Sequence, residues 1–361
     1  MLDRQRRGSW RLGSALWLAA SAALVAAAQE AEVYLEIQKW DFFRVPVLVE
    51  DFAADDLARL GLFAPRFSTG EEIEDLLARD LDLSDAFQVV RVRRGEEPAA
   101  GLLLDIADRP IDRHPQARVA GELHWDEGRV ILRARLIDTS SRAEIFRRDY
   151  ELGSREAPLA PERWSIHRLA DDITRTLTGS PGCAATRIAF VRSLDSGKEL
   201  ALIDWDGFGE SPATALGSIV VSPDWHPFQA RVACTSFHAG QPQLVAVDLG
   251  SGGLTVLASG GTPSAPAHSR DGRWLAYASS ESGDMEIYVA RADGSQRRRL
   301  TFSPGIDTAP SWSPSGDRLV FTSDRTGRPQ LFICDADGVS VEQLTYQGDW
   351  NDSADWSPIS D

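Results

Sequence analysis

The chain has 361 residues, 43% of them apolar and 25% charged, with a formal charge of −16. That length accommodates two or three domains with substantial cores, and the composition is that of a globular protein. The acidic balance argues against binding nucleic acid through a broad basic surface.

The first residues stand apart. Arg4, Arg6, Arg7 and Arg11 lead into an apolar run from Leu12 to Val25, and Ala26-Ala27-Ala28 offers small residues before Gln29. A charged start, an apolar centre and a small-residue site make a secretory signal peptide over residues 1–28, cleaved after Ala28. The run is shorter than the roughly 20 residues a spanning helix needs. The expectation is an exported, periplasmic protein.

Residues 29–160 read as an α/β domain. "VYLEIQ" and "RVPVLVEDF" are early strands. "STGEEIEDLLARDLDLSD" is a helix: Ser68 and Thr69 each stand three before a glutamate, as in a capping box. Its apolar face is Ile73, Leu76, Leu77 and Leu81. "FQVVRV" follows as a strand. Val119, Gly121, Leu123 and Trp125 alternate before an Asp126-Glu127-Gly128 turn, and Val130, Leu132, Ala134 and Leu136 alternate after it, which predicts a hairpin. "EIFRRDYEL" is a further strand. A linker helix within 161–184 carries Ile166, Leu169, Ala170, Ile173 and Leu177 on one side and stops at Gly179 and Pro181. No phosphate-binding glycine loop occurs, so a nucleotide site has no support here.

The rest of the chain, 185–361, repeats. Trp225, His268, Trp312 and Trp356 fall 43, 44 and 44 residues apart, each in a turn-rich segment. Behind them run "RVACTSF", "WLAYASS" and "RLVFTSD", with "RIAFVRS" one period earlier. A second strand keeps step as "ELALIDWDG", "QLVAVDLG", "EIYVARADG" and "QLFICDADG", and a third as "LTVLAS", "RRRLTF" and "VEQLTY". Four short strands in 40–45 residues is the pattern of a β-propeller blade, which buries its faces only against its neighbours. About four blades and a fraction are present. The antiparallel order puts the "SPSG" and "DADG" turns at one end. The "DRTGRP" hairpins and the crossings between blades lie at the other. A ring cut at "NDSADWSPISD" would expose raw sheet edges, so further sequence is expected to complete it.

The likeness to a known family rests on "FTSDRTGRPQLFICDADG", "APSWSPSGDRL", "DWDGFGE", the "VAGELHWDEGRVILRARLIDT" hairpin and "IHRLADDITRTLTG…RIAFV". In this order they resemble the TolB family of the Tol–Pal envelope system across nearly the whole mature chain. The resemblance implies an α+β N-terminal domain followed by an all-β propeller, with six blades in the complete protein. It implies a non-enzymatic periplasmic scaffold without cofactor or small-molecule substrate, monomeric outside its complexes. That scaffold would maintain outer-membrane integrity and invagination during division. By that similarity the lipoprotein Pal would dock on the crossings "GGTPSAP", "PGIDTAP" and "GDWNDSADW", through Thr262, Ser264, Asp307, Thr308 and Asn351. TolA would contact Gln29, Glu30, Ala31, Glu32 and Val33. "DWHPFQA" and "AHSRDG" depart from the regular turns of blades two and three.

The residues also bear on other readings. A propeller also precedes prolyl-oligopeptidase-like serine peptidases, but no G-x-S-x-G nucleophile elbow occurs. A ligand-binding propeller without Tol partners is the other alternative. Asp204, Asp206 and Glu210 resemble the start of a calcium loop, yet the turn recurs at the blade period and favours a tight turn. The histidines form no H-x-x-x-H pair. His268 suits packing where Trp stands in other blades, and His167 with Asp171 reads as a surface i, i+4 pair. Cys183, Cys234 and Cys334 cannot all pair. Cys234 and Cys334 suit buried strand positions, and spacing selects no disulfide.

Overall fold

A computed structural model describes residues 44–54, 72–97, 103–111, 113–154 and 163–357. The expected signal peptide with Ala28, the expected "VYLEIQ" strand and Gln29 to Val33 lie outside the described residues.

The first domain opens with a parallel unit, β1 (Val45–Glu50), α1 (Ile73–Leu83) and β2 (Phe87–Val92). A small pair follows, β3 (Leu103–Leu104) with β4 (Pro110–Ile111). Then come β5 (Ala117–Asp126), β6 (Arg129–Asp138), β7 (Glu144–Ser154) and α2 (Arg163–Thr178). The sheet order is β2-β1-β5-β6-β7, with β1 parallel to both neighbours and the rest antiparallel. The predicted hairpin forms around Glu127 and Gly128 at φ 44° and 88°, the left-handed pair that a two-residue turn needs to match strand twist. Gly121 is required for a different reason: a Cβ there would lie 2.6 Å from the Phe52 ring.

Both helices cover one face of the sheet. Ile73, Leu76, Leu77 and Leu81 of α1 and Ile166, Leu169, Ala170 and Ile173 of α2 join Val119, Leu132, Leu136 and Phe87 in a single core. The expected capping-box residues Ser68 and Thr69 lie outside the described residues. Helix α1 starts at Ile73 with Glu72 in the cap position and no side-chain cap bond. Glu74 accepts the Phe52 N–H at 2.6 Å, which ties the first turn of the helix to the segment after β1. Helix α2 ends as expected, with Gly179 at φ 77° donating to the Arg175 carbonyl.

The second region is a series of antiparallel sheets. Blade one holds β8 (Arg187–Leu194), β9 (Gly197–Asp204) and β10 (Ser211–Pro212). Blade two is β11 (Val220–Trp225), β12 (Arg231–Ser236), β13 (Gln243–Asp248) and β14 (Leu254–Ser259). Blade three is β15 (Ser264–His268), β16 (Trp274–Ser279), β17 (Glu286–Arg291) and β18 (Arg298–Arg299). Blade four is β19 (Asp307–Trp312), β20 (Arg318–Ser323), β21 (Gln330–Asp335) and β22 (Val341–Gln343).

Strand alternation sends successive residues to opposite neighbours. In β16, Leu275 and Tyr277 pack on blade two while Ala276 and Ala278 pack on blade four. Separate apolar clusters therefore fill the gaps between blades one and two, two and three, and three and four. Cys234 and Cys334 sit inside two of them as free thiols, and burial pushes each up to about 12. Cys183 is free and exposed.

Candidate partner-binding face

The innermost strands share a deformation at their crossing ends. Register shifts fall between Val221 and Asp224, Ser264 and Ala267, and Thr308 and Ser311. Ser222, Ala265, Ala309 and Ser353 take φ values of 53°, 48°, 49° and 55°, one per blade period. Left-handed backbone costs a non-glycine residue about 1 kcal/mol or more. Its recurrence marks a built-in bulge that turns the preceding side chains. Strands β11, β15 and β19 lie side by side, so these bulged ends line one face.

The residues expected to bind a partner fall along that face with different exposures. Thr262 is exposed, and its N–H donates to Ser280 Oγ at 3.0 Å. Ser264 and Thr308 are half-buried, each just before its left-handed residue. Asn351 is half-buried and donates through Nδ2 to Gln330 Oε1 at 2.9 Å and to the Gln347 carbonyl at 2.8 Å. Asp307 is different: it is 0% exposed and ion-paired to Arg325 at 2.6 Å. Burial raises its pKa while Arg325 and neighbouring hydroxyls pull it back. Asp307 therefore braces the crossing from beneath. Ile306 beside it is 55% exposed, and Trp350 is 70% exposed.

The blades are pinned to one another along their innermost strands. Trp312 Nε1 donates to the Ala267 carbonyl at 3.0 Å. Ser311 Oγ donates to Asp355 at 3.1 Å and accepts the Trp356 N–H at 3.0 Å. His268 occupies the Trp position, as expected for packing, and adds a polar link. Its N–H donates to Asp224 Oδ2 at 2.8 Å, and its ring Nδ1 meets the same oxygen at 2.5 Å.

Sequence reasoning missed a buried junction between the α/β domain and blade one. His167 does not pair with Asp171 on the surface. It is 0% exposed, and its Nδ1 meets Asp80 Oδ2 of α1 at 2.6 Å. Asp80 Oδ1 also accepts the Trp205 Nε1–H at 3.2 Å. Burial raises the Asp80 pKa, and its bonds to His167 and Trp205 oppose the rise. Asp171 faces the connector instead, accepting the Ala184 and Ala185 N–H groups at 2.7 and 3.0 Å.

The "DWDGFGE" carboxylates do not converge as a calcium loop. Asp204 pairs with Arg187, Asp206 with Arg163, and Glu210 with Arg192. His167, Asp204 and Asp206 do bring donor atoms within 4.8 Å of one another, but guanidinium groups already balance both carboxylates. The signal was present in the sequence. Only this turn carries a tryptophan between two acids, whereas "RADG" and "DADG" carry alanine.

The comparisons agree with this architecture. The model of the TolB beta propeller domain matches residues 174–361. The Tol-Pal system protein TolB of Aromatoleum aromaticum is 35% identical over 247 residues, covering 68% of this chain and 53% of that protein. Its counterpart in Anaeromyxobacter dehalogenans strain 2CP-C is 33% identical over 308 residues, covering 81% and 64%. The chain thus spans between half and two thirds of these relatives. The crystal structure of TolB from Acinetobacter baumannii superposes with a TM-score of 0.66 at 23% identity, over 87% of this chain and 75% of that one, which shows the shared fold. No helix among the described residues is long and apolar enough to cross a membrane. The family match over the blades, joined to their geometry, makes this chain a member of the TolB family.

Proposed function

We propose that the protein is a non-enzymatic periplasmic scaffold of the Tol–Pal system, acting by reversible protein binding. The crossing face docks the peptidoglycan-associated lipoprotein Pal, and the mature amino terminus, Gln29 to Val33, contacts TolA. Through these contacts it serves outer-membrane integrity and invagination at division. The observation that carries the reading is the left-handed bulge that recurs once per blade period beside the crossing loops, a shared backbone shape on which a preorganised face could be built. Preorganised loops lower the ordering cost of association. Thr262, Ser264, Thr308 and Asn351 supply the polar contacts, Ile306 an apolar one, and Asp307 the support.

The test is capture of a peptidoglycan-bound lipoprotein by the full-length protein. Thr308→Arg places a bulky cation on the face and is expected to weaken capture by on the order of tenfold or more. Unchanged capture removes the assignment of this face.

A further inference from the structure

Blade three breaks a pairing that the other blades keep. Where the strand equivalent to β12 begins, an arginine faces an aspartate at the end of the next strand. The pairs are Arg187–Asp204 at 3.3 Å, Arg231–Asp248 at 3.2 Å and Arg318–Asp335 at 3.6 Å. In blade three the facing residues are Trp274 and Arg291. The Arg291 guanidinium lies 4.3 Å from the indole centroid, and its Nε donates to Gln296 Oε1 at 3.2 Å. Among the described residues it makes no ion pair.

Arg291 lines a cavity of about 480 Å³ between blades two and three, on the short-turn side. Arg231 and Arg273 line it too, while Asp293 is the one carboxylate in its wall. Arg231 shares its charge with Asp248, and exposed Arg273 stands 3.7 Å from Asp271. The space exists for a reason written in the sequence. Ala246 stands on its wall where the other blades have Leu202, Val289 and Ile333. The two irregular turns, "DWHPFQA" and "AHSRDG", meet there. They bring the rings of His226 and His268 to 5.0 Å between centroids, with Gly272 packed so closely that a Cβ would lie 2.9 Å from His226.

We propose that this cavity binds a small molecule bearing a carboxylate or phosphate oxyanion, with Arg291 as the principal contact and Arg231 and Arg273 closing around it. The guanidinium fork matches both oxyanions in bidentate geometry. Stacking on Trp274 holds that fork in place before binding, and the volume falls within the usual range for small-molecule sites. None of this depends on the partner-binding reading of the opposite face.

The experiment is calorimetric titration of the purified protein at low ionic strength with two probes, inorganic phosphate and citrate. Saturable binding of either supports the site, and binding of only one names the oxyanion. The double variant Trp274→Arg/Arg291→Asp writes the pair of the other blades into blade three. It is expected to lose affinity by about tenfold or more. Arg291→Gln, which adds no charge, is expected to lose affinity similarly with an unchanged melting temperature. The proposal is overturned if neither probe saturates below about 10 mM, if an acidic peptide binds where both probes fail, or if affinity survives in Arg291→Gln.

Discussion

The α/β domain and the blades bury their apolar surface on different scales. In the first, two helices and a five-stranded sheet share one core, so Leu132 at its centre touches the economy of the whole domain. In the second, each cluster belongs to two successive blades and stops there. The contrast teaches where change is tolerated: a blade can alter its rim or an inter-blade notch without disturbing sheets two places away.

Matched core truncations give the largest effect and the clearest way to break that contrast. Leu132→Ala is expected to cost about 3 kcal/mol and to lower amide-exchange protection across all five strands of its sheet. Leu319→Ala is expected to cost a similar amount yet lower protection only in blades three and four. Protection lost evenly around the propeller would show that the blades share one cooperative core after all.

The junction comes next. Asp80→Ala leaves His167 buried without its partner and removes the bond from Trp205, for a loss of about 2–4 kcal/mol. Calorimetry of this variant should separate one unfolding transition into two if the junction couples the regions. A single transition merely shifted downward would place the coupling elsewhere. The smallest effect is local: Trp312→Phe deletes the bond to the Ala267 carbonyl and should cost about 1 kcal/mol for that bond, read as a lower chemical-denaturation midpoint with unchanged slope.

Much of this architecture is legible in the sequence because repetition makes each blade a control for the others. The strands around Ala233, Ala276 and Val320 fall in register at the predicted beat. Legibility fails where tertiary contacts outrank local pattern. No local pattern announces that Glu74 reaches back to the Phe52 N–H, 22 residues earlier. Strand β18 is only Arg298–Arg299, and Arg298 reaches across to the Ala336 carbonyl in blade four, a contact that spacing does not announce. Spacing places His167 beside Asp171, yet no periodicity announces that Asp80, 87 residues earlier, lies closer. The expected partner-facing residues come from the crossings, while the burial of Asp307 beneath them goes with its Arg325 pair in the next hairpin and has no local signature.

The link between His268 and Asp224 makes the blades non-interchangeable despite their common pattern. A histidine in the tryptophan slot needs an acid one period upstream, and Ala267 and Ser311 hold that place in the following blades. Setting blade three directly after blade four would put its histidine against Ser311, without a carboxylate. At this joint the order of the modules is specified, as keyed parts admit a single order of assembly.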